Sequence, residues 1–233
     1  MKYALVNGKR TEPEPKLRGR CPGCGAVMIP RCGDVIVWHW AHKGKINCDP
    51  WWENETEWHR EWKNRFPETW QETILQDEGT GEKHIADIRT EDGFVIEFQY
   101  SHIKLEEVEK REGFYQRMVW VLNGARRKTD YKRFVRGAEG FHRTKQRGIY
   151  FVSFPEECFP ASWVDRSVPI LFDFEDAIDA DPRLTKNAVW ALLPGRQRGK
   201  ALALIISKEQ FVDFAMKGSL FEKLGEINQY SKI

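Results

Sequence analysis

The chain has 233 residues, of which 41% are hydrophobic and 13% aromatic, and a formal net charge of +2. That suffices for one large domain, or a core with a smaller partner, around a packed interior. No apolar run approaches the roughly 20 residues of a membrane span, and the near-balanced charge gives no global argument for nucleic acid.

The start, Met1-Lys-Tyr-Ala-Leu-Val-Asn-Gly8, lacks a signal-peptide pattern, so a cytoplasmic location is expected. In that setting the five Cys point to metal ligands or free thiols rather than disulfides. A short strand is predicted over 2–6 with a turn at Asn7-Gly8, and Pro13 and Pro15 interrupt regular structure up to about Arg20. Next come Cys21-Pro-Gly-Cys24, strands at 27–29 and 35–40, His39-Trp-Ala-His42, and Cys48. A gap of two residues lets both Cys of a knuckle reach one ion, and tetrahedral zinc needs four nitrogen or sulfur ligands. Five candidates compete for four places. Cys21, Cys24, His42 and Cys48 are preferred, with His39 able to replace one of the last two. Such a site is structural, because a full ligand set leaves no position open for chemistry. Cys32 and Cys158 stand apart and read as ordinary small residues.

A helix is predicted from Trp51 to Pro67, capped by Asn54 or Thr56, with Trp58, Trp62 and Phe66 as its apolar stripe. Glu55, His59 and Lys63 recur at four beside it. Such rows are commonly solvated flanks, yet a Glu, a His and a Lys on the margin of a Trp-lined face point to a polar site. Strands follow at 71–76 and 84–90, with Asp92-Gly93 as a hairpin turn before a strand over 94–101. There Phe94, Ile96, Phe98 and Tyr100 alternate with Val95, Glu97, Gln99 and Ser101, the period of a half-buried strand. Pairing these strands would bring Asp87 and Glu97 close enough to share a hard cation through oxygen ligands. A helix over 103–116 sets Arg111 and Tyr115 four apart, and 118–122 is a buried strand.

Residues 125–147 hold nine Lys and Arg against two acids, with Tyr131, Phe134, Phe141 and His142 interleaved. Such a stretch could track a phosphate backbone and stack on bases. Arg126, Arg127, Lys128, Lys132 and Arg133, with Arg111 and Tyr115, are the candidate DNA contacts. Strands are predicted at 149–153, 168–172, 188–193 and 201–206, and a helix at 208–217. This last third either extends the sheet or forms a separate module.

The order helix, strand, strand, strand, helix, strand, with acids at 55, 87 and 97, resembles the core of the PD-(D/E)XK nuclease superfamily. Cys-Pro-x-Cys-Gly, His-Trp-Ala-His, Cys-Asp, Glu-Asn-Glu-Thr, His-x3-Lys, Ala-Asp-Ile, Glu-x-Gln-x-Ser and Arg-x3-Tyr also follow in the order typical of the CoiA-like competence protein family. The resemblance covers about residues 20–123. It implies an α/β protein with three parts: a zinc-ribbon module over 1–50, a restriction-endonuclease-like αβββαβ core over 51–153, and a C-terminal α/β extension over 154–233. It implies a Mg- or Mn-dependent nuclease acting on DNA in uptake, recombination or defence, or an inactive DNA-binding accessory protein that recruits a recombinase. By resemblance Glu55, Asp87 and Glu97 are the site acids, and His59 and Lys63 come from the helix motif. Gln99 stands where the superfamily usually has Lys. Its amide cannot steady an attacking water by charge, so Lys63 or His59 would supply the missing cation. Trp58 and Tyr100 depart from the family pattern.

Overall fold

The computed structural model describes residues 1–44, 48–51, 53 and 55–230. By the density of its contacts the chain divides into two units, Met1–Arg89 and Thr90–Ile233.

In the first unit, strands β1 (Ala4–Val6), β2 (Lys9–Thr11), β3 (Gly19–Arg20), β4 (Val27–Arg31) and β5 (His39–His42) form a sheet in the order β2-β1-β3-β4-β5. Its small core gathers Met1, Ala4, Cys21, Met28 and Trp40. The Trp40 ring lies so close to Gly19 that a Cβ there would meet it at 3.3 Å and the Ala4 Cβ at 2.8 Å. A glycine is therefore what allows β3 to cross the indole. The strand predicted at 35–40 starts only at His39, because Val35 and Ile36 are 96% and 61% exposed and have no apolar surface to cover. β-propensity without a packing partner does not hold a strand.

Helix α1 (Glu57–Lys63) is shorter than expected. Thr56 caps it in a capping box completed by His59, which leaves Glu55 ahead of the helix rather than on it. Asn54, the alternative cap, lies outside the described residues. Trp58, Trp62 and Phe66 are buried as the stripe predicts, each stabilising the unit by about 1.5–3 kcal/mol. A 3-10 turn leads into β6 (Gln71–Gln76), which runs antiparallel to β7 (Lys83–Arg89).

The second unit holds β8 (Val95–Gln99), α2 (Leu105–Tyr115), β9 (Met118–Asn123), α3 (Lys128–Ala138), β10 (His142–Arg143), β11 (Ile149–Val152), α4 (Pro155–Cys158), β12 (Ile170–Asp173), α5 (Pro182–Thr185), β13 (Ala188–Leu192), β14 (Ala201–Ser207), α6 (Lys208–Met216) and α7 (Leu220–Tyr230). Its strands lie in the order β10-β11-β14-β13-β12-β9-β8. β9 runs parallel to β8 and to β12, and the remaining pairs are antiparallel. The last third therefore extends one sheet instead of folding apart. α2 connects the parallel pair β8 and β9, the connection that such a pair requires.

All five residues of β8 are buried, where alternation predicts one solvated face. Parallel strands are covered on both sides, so Glu97 and Gln99 are interior polar groups. In α3, Tyr131 and Phe134 point inward, and the Phe134 ring stacks on Phe174 at 4.7 Å. That corrects their expected part in base stacking: the helix's apolar face is core. Among the described residues no helix is long and apolar enough to cross a membrane.

Candidate functional site

β3 and β4 pair at Gly19↔Met28 and Arg20↔Val27, so the chain turns over Cys21–Ala26. The turn is closed by the Cys21 N–H on the Ala26 carbonyl (2.8 Å) and the Gly25 N–H on the Cys21 carbonyl (2.9 Å). This knuckle presents Cys21 and Cys24 on one side. His42, opposite Met28, brings its Nε2 to 3.3 Å from the Cys24 Sγ, and the Cys48 Sγ lies 3.7 Å from the Cys21 Sγ. One ligand atom from each of Cys21, Cys24, His42 and Cys48 falls within 4.8 Å of all the others, so the four can hold a metal ion. His39 is three residues from His42 on the same strand and so projects from the opposite face; its Nδ1 lies 2.8 Å from the Val37 carbonyl. Residue alternation thus selects between the two histidines.

Asp49, beside Cys48, fixes the end of this loop on β7. Its Oδ2 accepts from the Ile85 N–H at 2.8 Å, its Oδ1 lies 3.0 Å from the His84 Nδ1, and Trp51 stacks on the His84 ring at 3.2 Å. Burial alone would raise the Asp49 carboxyl, but these hydrogen bonds hold it below its ordinary value.

The second constellation of this unit is a buried charge cluster. The Lys63 Nζ lies 2.9 Å from the Asp87 Oδ1, 3.4 Å from the Glu72 Oε1 and 3.5 Å from the Glu55 Oε1. Arg60 adds a contact from its Nη2 to the Glu55 Oε2 at 3.1 Å. Burial opposes the charge on Lys63, yet Asp87, Glu55 and Glu72 outweigh it and hold the amine well above its ordinary value. Likewise burial would raise the Glu55 carboxyl, and Lys63 and Arg60 reverse the sign. The Asp87 side chain, 21% exposed, is the most open of the three acids.

Glu72 is the member that sequence reading missed. It sits within β6 at φ +47°, a conformation few non-glycine residues adopt, and its carboxylate accepts the Lys2 N–H at 2.6 Å and the Tyr3 N–H at 3.0 Å. A strand alternation gives no signal for that turn of the backbone. The only hint was a charged residue inside a strand predicted to pack.

His59 is buried among acids, but its ring is committed to the cap. The Thr56 N–H donates to the Nδ1 at 3.2 Å, so the proton belongs on Nε2, which faces the Glu53 Oε1 at 3.4 Å. Burial lowers its pKa, in keeping with a neutral ring. Of the two helix side chains, Lys63 is the one whose charge these acids favour most.

Glu97 and Gln99 lie on β8 in the second unit. The Glu97 Oε2 accepts from the Arg111 Nη1 at 3.0 Å, and the Arg111 Nη2 reaches the Glu107 Oε1 at 2.5 Å. Arg111 and Tyr115, expected on DNA, are buried, so the arginine is a partner for Glu97 instead of an outward contact. The Gln99 Nε2 donates to the Ser101 carbonyl at 3.2 Å. Arg126, Arg127, Lys128 and Lys132 are exposed around the start of α3, with Arg133 half-buried. Arg196, in contrast, is tied to Asp165 and Glu156.

Residues 15–50 match the family model described as Competence protein CoiA, N-terminal domain. That segment contains β3, β4, β5 and all four candidate metal ligands. No curated protein matches the chain, and no solved structure does.

Proposed function

We propose that the chain is a metal-dependent nuclease that hydrolyses DNA phosphodiester bonds during uptake, recombination or defence. The observation that carries this reading is the set of three carboxylates, Glu55, Glu72 and Asp87, drawn onto one buried lysine. Acids gathered in a largely buried cluster are costly to hold ionised and are kept only with a cation among them. Their oxygens are the donor type that Mg²⁺ or Mn²⁺ prefers. Further support comes from the helix-strand-strand-strand-helix-strand order of α1, β6, β7, β8, α2 and β9, and from the competence-family match at residues 15–50.

In this reading Asp87 and Glu55 hold the divalent ion. When bound, such an ion neutralises a phosphate and acidifies a water. Lys63, kept protonated by its three acids, carries positive charge at the place where the phosphate's negative charge grows. Glu72 fixes that ammonium by sharing it. His59 secures the first turn of α1 and so the direction from which Lys63 reaches in. The ribbon's three thiols and one imidazole are the soft and borderline donors that suit zinc, and a zinc there would be structural.

A second reading is a DNA-binding accessory protein without turnover, which could recruit a recombinase. It is favoured by Gln99 and by the internal cations already on Asp87 and Glu97. Incubating the protein with single- and double-stranded DNA in Mg²⁺ or Mn²⁺ separates the two. Metal-dependent shortening of the DNA supports the first reading. Retention of bound, intact DNA under every metal supports the second.

A further inference from the structure

Cys48 and Asp49 are neighbours in the chain, one a candidate metal ligand and the other bound to β7. Consecutive Cα atoms stand about 3.8 Å apart, so an ion that holds the Cys48 sulfur also confines Asp49. Asp49 is buried, and each of its carboxylate oxygens has a partner. The Oδ1 accepts the Trp51 N–H at 3.0 Å and lies 3.0 Å from the His84 Nδ1, and the Oδ2 accepts the Ile85 N–H at 2.8 Å. His84, buried in turn, has Trp51 stacked on its ring and the Glu82 Oε1 2.7 Å from its Nε2. A buried carboxylate stripped of such partners is costly, so Asp49 and β7 hold together.

The metal cluster bears on the same strand by a second route. Cys48 and Ile85 both pack against the small core of Met1, Ala4, Cys21, Met28 and Trp40. A Cβ at Gly23, inside the knuckle, would stand 3.9 Å from the Ile74 Cδ1 and 4.0 Å from the Ile85 Cδ1. Along β7, His84, Ala86 and Ile88 are buried on one face, and Ile85 and Asp87 share the other. The knuckle therefore rests on the face that presents Asp87, two residues or about 6–7 Å along the strand from it.

We infer that metal occupancy of the Cys21, Cys24, His42 and Cys48 cluster controls the order of β7 around Asp87, with Asp49 as the positioning residue that couples the two. The ion then does more than close its own turn. It steadies the strand from which the Asp87 Oδ1 meets the Lys63 Nζ at 2.9 Å. Coupling of this kind is reciprocal. Whatever factor the metal adds to the closure of Asp49 on Ile85, that closure adds to metal affinity. The inference rests on the reading of the four residues as a metal site and is independent of DNA cleavage.

Hydrogen exchange at the Ile85, Ala86 and Asp87 amides, in the full chain with and without zinc, tests it, with the α1 amides as reference. Zinc should slow exchange at these three positions by roughly tenfold or more in the parent chain, the scale of a hydrogen bond to a charged group. In Asp49→Ala the zinc effect should all but vanish, and competition with a chelating dye should show zinc held more weakly by the same factor. Cobalt absorption should stay that of the parent, because Asp49 is not a ligand. Asp49→Asn keeps an oxygen for the Ile85 N–H and should restore part of the coupling, so the test stays decisive should Asp49→Ala fail to fold. Zinc that binds without slowing β7, or that slows β7 and α1 alike, overturns the inference and leaves the metal site standing. An undiminished zinc effect in Asp49→Ala overturns Asp49 as the coupling residue. A chain that takes up no zinc overturns both the inference and the metal site.

Discussion

The Lys63 ammonium lies 2.9 Å from the Asp87 Oδ1, so the most open acid of the buried cluster already holds an internal cation. Removing that charge with Lys63→Met should cost about 3–5 kcal/mol, because Glu55, Glu72 and Asp87 lose the ammonium they share in the interior. The midpoint of urea unfolding reads this loss. Millimolar Mg²⁺ or Mn²⁺ should stabilise the parent chain by occupying Asp87 and Glu55, and should restore part of the loss in the variant. Ca²⁺-free buffer without added metal supplies the baseline.

Glu72 is a positioning residue for Lys63. Glu72→Gln keeps the shape but weakens the acceptor for the Lys2 and Tyr3 N–H groups and the ammonium. Hydrogen bonds to charged groups contribute about 1.5–3 kcal/mol, so a loss of about 2–4 kcal/mol is expected in the same unfolding assay. An unchanged midpoint would mean that the clamp contributes nothing.

Stability of the first unit should fall on the acid side. The His59 pKa is lowered in the folded chain, so below about pH 6.5 the unfolded chain takes up a proton that the folded one refuses. The Glu55 pKa is also lowered; its contribution is complete above the ordinary carboxyl range and is lost as pH falls through its folded value. Both groups bind more protons when unfolded, so stability rises with pH through each window. Unfolding free energies measured from pH 4 to 7.5 should decline toward acid, and Glu55→Gln should flatten the lower part of that curve.

The Cys21, Cys24, His42 and Cys48 cluster should carry one metal per chain, and elemental analysis should find zinc. Cobalt substitution should give the absorption of a tetrahedral site with three thiolates and one imidazole. Cys24→Ser or His42→Ala should lose the metal, whereas His39→Ala should keep it. Loss of zinc in the His39 variant alone would contradict the ligand set.

Glu97 and Arg111 are a buried pair, which sets a trap for mutagenesis. Glu97→Ala leaves the guanidinium without that carboxylate and should destabilise the second unit by about 3–5 kcal/mol. Glu97→Gln keeps an acceptor and should cost less. Thermal melting of the two variants checks the order, and only the milder one suits an activity assay.

Much of this is legible in local spacing alone. The Trp58, Trp62 and Phe66 stripe marks the buried face of α1, and the Cys-x2-Cys knuckle with its two histidines and Cys48 marks the cluster that can hold a metal while leaving His39 or His42 open, because both follow from local spacing. What stayed hidden depends on partners distant in sequence. Glu72 reveals itself only through the Lys2 and Tyr3 backbone, and Asp49 only through His84 and Ile85. Period-two alternation misplaced Glu97 and Gln99 on a solvated face, since it cannot tell that a parallel strand is covered on both sides. Basic composition marks Arg126 and Arg127, which are exposed, but gives no sign that Tyr131 and Phe134 turn inward to the core.

The most direct test of the account is the initial rate of DNA cleavage in Mn²⁺ for the parent chain and for Asp87→Asn, compared at equal folded fraction. Cleavage by the parent that disappears on chelation and drops by a hundredfold or more in Asp87→Asn is the predicted result, on the order of what removing one essential group from a catalytic site costs. Equal rates for the two proteins, or no cutting by the parent in any divalent metal, would contradict it.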